Sequence, residues 1–172
     1  YYNINPQFYV SVDCIIFGFD KGSLKLLLLK RNFEPAKGSW SLMGGFVQDG
    51  ESVDDAAKRV LAELTGLENV YMEQVGTFGE VDRDPGERVI SVAYYALINI
   101  NEYDRNLVQQ HNAHWAEINE IPPLVFDHPQ MVKQARIMLQ KKASSEPIGF
   151  NLLPSLFTLF QLQSLYEAIY GE

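Results

Sequence analysis

A helix fenced by glycines constrains this chain more than any other feature. Gly44-Gly45 precede it, Ser52 opens it with Asp55 three residues on, and Gly66 follows its last turn. A small polar residue with an acidic partner three positions later signals a helix start, and a glycine past the end signals its stop. Between them Val53, Ala56, Ala57, Val60, Leu61 and Leu64 recur at steps of three and four. The spacing predicts an amphipathic helix over Ser52 to Leu64. Such a helix must bury its apolar face against another layer.

The flanking sequence supplies that layer. Phe8 to Phe17 and Leu24 to Lys30 are β-rich runs joined by Asp20-Lys21-Gly22-Ser23, which reads as a hairpin. Pro35 to Ser39 reads as a loop. A short strand at Trp40 to Leu42 is expected to break at Gly44-Gly45 and resume at Phe46-Val47. Further strands are expected at Val70 to Phe78, Glu87 to Ile98 and Ala113 to Ile118. A second helix should run from Pro129 to about Lys142, with Met131, Val132, Ala135, Met138 and Leu139 on one face. This order predicts an α/β (α+β) domain with a mixed β-sheet sandwiched between helices.

The last thirty residues read differently. Ala143 to Pro147 looks like a linker, and Thr158 opens another helix with Gln161 as its capping partner. Its stripe of Leu159, Leu162, Leu165, Tyr166, Ile169 and Tyr170 needs a partner surface, either the main domain or a second one. The expected division is a domain of residues 1–143 and a segment of residues 144–172. The chain begins without Met and stops just past this helix, so a trimmed start and a severed second domain are expected.

Composition excludes several functions. With 14 Lys and Arg against 22 Asp and Glu the net charge is −8, and no basic run stands out to hold nucleic acid. The lone Cys14 rules out a disulfide framework and reads as a small buried hydrophobe, which suits a reducing cytoplasm. No apolar stretch approaches the roughly 20 residues of a membrane span, and no signal peptide is visible. His111 and His114 lack metal-ligand spacing and read as surface histidines. In Asp127-His128 the aspartate reads as a helix cap rather than an acid–base partner. No phosphate-binding glycine loop, nucleophile elbow or dinucleotide fingerprint occurs.

The glycine-fenced segment, Gly45-x5-Glu51-x7-Arg59 followed by Leu61, Glu63, Gly66 and Leu67, resembles the Nudix box. Upstream, Gly38-Ser39-Trp40-Ser41-Leu42-Met43-Gly44-Gly45 resembles the loop that leads into that box. The resemblance implies a Nudix fold. At roughly 100° per residue, positions 60, 63 and 64 share one arc of the helix. In active relatives all three are glutamates that bind metal and help activate water. Here they are Val60, Glu63 and Leu64. Hard divalent cations need several oxygen ligands, so one glutamate cannot replace the cluster. The expectation is therefore no catalytic residue and no metal or other cofactor. Glu51, Arg59 and Glu63 remain as remnants, with Glu51 and Arg59 forming a structural ion pair. The alternative is a magnesium-dependent hydrolase of ADP-ribose-like substrates, using Glu51, Glu63 and a further carboxylate.

The segment Asp82-Arg83-Asp84-Pro85-Gly86-Glu87-Arg88 resembles the loop before the following strand in ADP-ribose-type Nudix proteins. Arg83 and Arg88 have the chemistry to clamp a phosphate, and Asp84 and Glu87 to accept from sugar hydroxyls; an exposed charged loop is the plainer reading. Trp40 either packs in the core or stacks on a ligand ring, and Arg31 is a further ligand candidate.

These segments, with Val125-Phe126-Asp127-His128-Pro129-Gln130-Met131-Val132 and the C-terminal run from Pro147, are similar to the Nudix-related transcriptional regulators over essentially the whole chain. That resemblance implies a Nudix-like sensor followed by a winged helix-turn-helix, acting as a homodimer on operator DNA through the C-terminal part. It implies a small-molecule effector, L-arabinose in one branch and ADP-ribose in another. The wording of this chain looks closer to the arabinose branch. The lost carboxylates point the same way, because a neutral sugar needs no metal to screen a pyrophosphate.

Overall fold

The computed structural model describes residues 1–171. Its frame is a mixed seven-stranded sheet of β1 (Tyr9–Asp20), β2 (Ser23–Lys30), β3 (Trp40–Ser41), β4 (Met43–Phe46), β5 (Tyr71–Phe78), β6 (Val89–Leu97) and β7 (Ala113–Glu117). The strands run in the order β3-β2-β1-β6-β5, with β4 also on β1 and β7 also on β2. Parallel pairing joins β1 to β6, in register from Tyr9–Val89 to Phe17–Leu97. On its other edge β1 meets two antiparallel partners in turn, β4 along Ser11 to Cys14 and β2 along Phe17 to Asp20.

Alternation along β1 builds two cores, as the period of a strand requires. Val12, Cys14 and Ile16 join Ala56, Ala57, Val60, Leu61 and Leu64 of α1 (Val53–Thr65). Ile15, Phe17 and Phe19 join Met131, Val132, Ala135 and Leu139 of α3 (His128–Ser145) and Leu165 and Ile169 of α5 (Leu159–Tyr170). Two shorter helices, α2 (Arg105–Gln110) and α4 (Gly149–Leu152), fill the corners. The predicted caps of α1 and α5 are present. Ser52 accepts from the Asp55 amide, Gly66 takes a left-handed φ of 73°, and Thr158 and Gln161 form a reciprocal capping box.

Several local expectations are corrected. Gly44 and Gly45 do not break the strand; both lie inside β4. A Cβ on Gly44 would sit 2.5 Å from Asp13 Oδ1 and 2.8 Å from the Val12 carbonyl, and one on Gly45 would sit 2.9 Å from Val60. The glycines therefore serve close approach rather than a turn. Residues 143–145 read as linker, but α3 continues through Ser145 and buries Ala143. The stretch before β7 carried no helix signal, yet α2 forms there, capped by the Asp104 carboxylate. The α5 stripe does find a partner within this chain. Leu165 and Ile169 are buried, while Leu159 and Phe160 stay exposed. Among the described residues no helix is long and apolar enough to cross a membrane.

Candidate functional site

The box segment is held by one arginine. Arg59 donates to both carboxylate oxygens of Glu51, at 2.7 and 3.1 Å, and to the Phe46 carbonyl at 2.9 Å. Its remaining amino group lies 3.4 Å from Glu63. The Gln48 amide also donates to Glu51. Hydrogen bonding from Arg59, then from that amide, holds the Glu51 carboxyl below its ordinary range. The loop is thereby tied to the middle of α1. Val60 and Leu64, where metal-binding glutamates stand in active relatives, are 1% exposed in the core. Burying an aliphatic side chain of that size stabilises by roughly 1.5–3 kcal/mol, so the substituted face now serves packing.

Beside this segment a cavity of about 500 Å³ opens where β1 meets β4, within the range of small-molecule sites. Its rim carries Phe33 and Phe46, both about half exposed. Arg31 enters from the end of β2. Its guanidinium lies 4.3 Å from the Phe33 ring centre and 5.4 Å from that of Phe126, and its Nε donates to the Pro35 carbonyl. The terminal amino groups of Arg31 bond to no described residue. Burial lowers its pKa, opposed by Asp84, Asp13 and Glu34.

The floor is a buried charge cluster assembled from four separate elements. Arg83 is clamped by Asp127 through two hydrogen bonds of 2.8 Å, from Nε and Nη2, and the same Nη2 lies 3.8 Å from Asp13 Oδ2. Burial alone would lower the Arg83 pKa, but pairing with Asp127 outweighs it and the net shift is upward. Asp13, on β1, accepts from the Ser91 hydroxyl of β6 at 2.6 Å and lies 3.5 Å from His128 Nε2. The Leu42 amide donates to His128 Nδ1 at 3.1 Å. Burial keeps the His128 pKa below its ordinary value, although Asp13 and Asp127 favour the charged ring. Phe126, immediately before this pair, holds a φ of +53°, a conformation bulky residues seldom adopt and one that collects at binding sites.

The structure brings Arg31, Arg83 and Asp84 to the cavity lining. Trp40 is elsewhere, packed against the α3-side core and edge-on to His114. Arg88 donates to the Gly79 and Glu80 carbonyls and stacks on Phe8, and Glu87 is exposed beside it. Neither lines the cavity. Asp127 occupies the cap position of α3 without capping it, because Arg83 has claimed its carboxylate. His111, expected on the surface, reaches the cavity wall. Sequence reasoning missed Asp13, Ser91 and His128. One signal was available: Asp13 stands in phase with Ile15, Phe17 and Phe19, where an apolar residue belongs.

A divalent cation does not fit these residues. Among the described residues no group of three His, Cys, Asp or Glu side chains is placed to hold one. Both oxygens of Glu51 are engaged by Arg59, and Glu63 is half exposed beside it.

A sheet between helices, with this loop–helix–loop along one cavity, is the Nudix arrangement. Residues 7–138 match the NUDIX domain model, and residues 149–172 match the NrtR DNA-binding winged helix domain. The ADPR responsive transcriptional repressor NtrR of Acinetobacter baylyi is 36% identical over 97% of this chain and 68% of its own length. The crystal structure of Shewanella oneidensis NrtR superposes with a TM-score of 0.85 at 34% identity, covering 95% of this chain and 78% of that one. The NUDIX domain of the same protein complexed with ADP ribose gives 0.65 at 30% identity, over 80% and 92%. The chain belongs to the Nudix family, among its transcriptional regulators in which a Nudix domain precedes an NrtR-type winged helix.

Proposed function

We propose that this chain is the sensing part of a transcriptional regulator whose effector is ADP-ribose. The observation that carries the reading is a cavity with an arginine at its mouth and charged groups at its floor, beside a box whose carboxylates are engaged by Arg59 rather than gathered for a metal. A pyrophosphate needs a cation, and the unclaimed Arg31 amino groups offer one with forked geometry. The aromatic rim suits a nucleobase. The regulators similar to this chain carry ADP-ribose in their names or bind it, which supports ADP-ribose over the L-arabinose expected from the sequence. A cavity of about 500 Å³ with an aromatic rim also exceeds what a single pentose would fill.

A route from the cavity to the C-terminal helix supports the regulatory half of the reading. The first turn of α3 forms part of the floor through Asp127 and His128, and its far end holds α5. There Gln140 donates to the Ile169 carbonyl and accepts from the Tyr170 hydroxyl. In this reading effector occupancy biases α3, α5 moves with it, and operator affinity of a homodimer changes through the winged helix. Titration calorimetry with ADP-ribose and L-arabinose tests the effector. Saturable heat with ADP-ribose alone is expected, and saturation by arabinose alone would overturn the assignment.

A further inference from the structure

We infer that Asp13 and His128 form a hydroxyl-binding site at the cavity floor, and that it receives the terminal ribose of the effector. The inference rests on the ADP-ribose reading above and deepens it.

The two side chains present one acceptor and one donor, both on the cavity lining and both more than nine-tenths buried. Asp13 uses Oδ2 for the Ser91 hydroxyl, while Oδ1 receives no hydrogen bond from a described residue. His128 Nε2 lies 3.5 Å from it, beyond ordinary hydrogen-bond length. The Leu42 amide makes His128 Nδ1 an acceptor, so the ring proton sits on Nε2. Gly44 protects the arrangement, since any side chain there would displace Oδ1.

A hydroxyl satisfies both atoms at once, donating to Oδ1 and accepting from Nε2–H. A phosphate oxygen only accepts and would be repelled by Asp13, and an ammonium group only donates and would leave the imidazole proton orphaned. The site therefore selects a sugar hydroxyl. The adenosine ribose of ADP-ribose is flanked by base and phosphate, so the terminal ribose is the sugar that can enter a closed floor. The ligand is then oriented: ribose on Asp13 and His128, pyrophosphate toward Arg31, adenine at the rim with Phe33 and Phe46.

Calorimetry of the wild-type chain and Asp13→Asn, with ADP-ribose and with ADP, tests this. A hydrogen bond to a charged group corresponds to roughly 10-fold or more in affinity. Wild type is expected to bind ADP-ribose at least about 10-fold more tightly than ADP, and Asp13→Asn to erase that preference while leaving ADP binding unchanged. Equal affinity of wild type for the two ligands overturns the site without touching the effector reading, and needs no variant to fold. So does an equal loss of both ligands in Asp13→Asn. Binding of neither ligand by wild type overturns the effector reading and this inference with it.

Discussion

Two clusters in this molecule use the same side chains in opposite ways. Around the box, Arg59 joins Glu51 and Glu63 at the surface, and the carboxylates are largely satisfied within one loop and one helix. At the cavity floor, Arg83 joins Asp127 and Asp13, with Arg83 only 3% exposed, and the partners come from β1, the loop before β6 and the start of α3. The first cluster fastens a loop. The second holds charge in a low-dielectric setting and keeps one carboxylate oxygen toward the cavity, where a polar contact discriminates most strongly. The family motif thus marks the fold, while the proposed binding chemistry rests on residues outside the motif.

Breaking the buried cluster should have the largest effect. Arg83→Met leaves Asp127 and Asp13 buried without their cation, and chemical denaturation should register a loss of about 3–5 kcal/mol. A loss under about 1 kcal/mol would place the floor in the same class as the surface cluster. Gly44→Ala comes next, because its Cβ would press on the Val12 carbonyl and Asp13. About 1–3 kcal/mol of destabilisation is expected, together with weaker ADP-ribose binding.

A smaller effect should appear with pH. Burial lowers the His128 pKa below its unfolded value of 6.5, so the unfolded chain takes the proton first. The contribution is full above that value and is lost as pH falls toward the lowered folded value. Thermal melts should show wild-type stability declining between pH 7 and pH 5, and His128→Gln should flatten the decline. Glu51, and Glu73 of β5 under a hydrogen bond from Tyr71, are also held low and lose their contributions only below their ordinary value near 4.5, so the windows separate. An unchanged slope in His128→Gln would sink this account of the floor. Smallest of all is Glu63→Gln. It should alter stability by less than about 1 kcal/mol and leave ADP-ribose binding intact, and a marked loss of binding would move the site back toward the box.

The sequence was most legible where cause and effect lie close along the chain. The periodicity of Val53 to Leu64, the Ser52 cap and the Thr158–Gln161 box each span a few residues, and each forms as expected. Arg31, Arg83 and Asp84 were also in hand as candidates, and they share one cavity. The floor was not legible, because its contacts join residues 13 with 91 and 83 with 127. Local spacing carries no information on which strand will lie beside β1, and parallel pairing of β1 with β6 is what delivers Ser91 to Asp13. Asp127 shows the converse error. Its local signal as a cap was sound, but a buried guanidinium outcompetes the helix amides for its carboxylate.

In the proposed function a Nudix pocket binds ADP-ribose without a metal and without consuming it. ADP-ribose titrated into the chain with EDTA, and then with magnesium, followed by chromatography of the ligand, tests it most directly. The same affinity in both and recovery of intact ADP-ribose are expected. Binding that appears only with magnesium, or recovery of AMP and ribose phosphate, would contradict it.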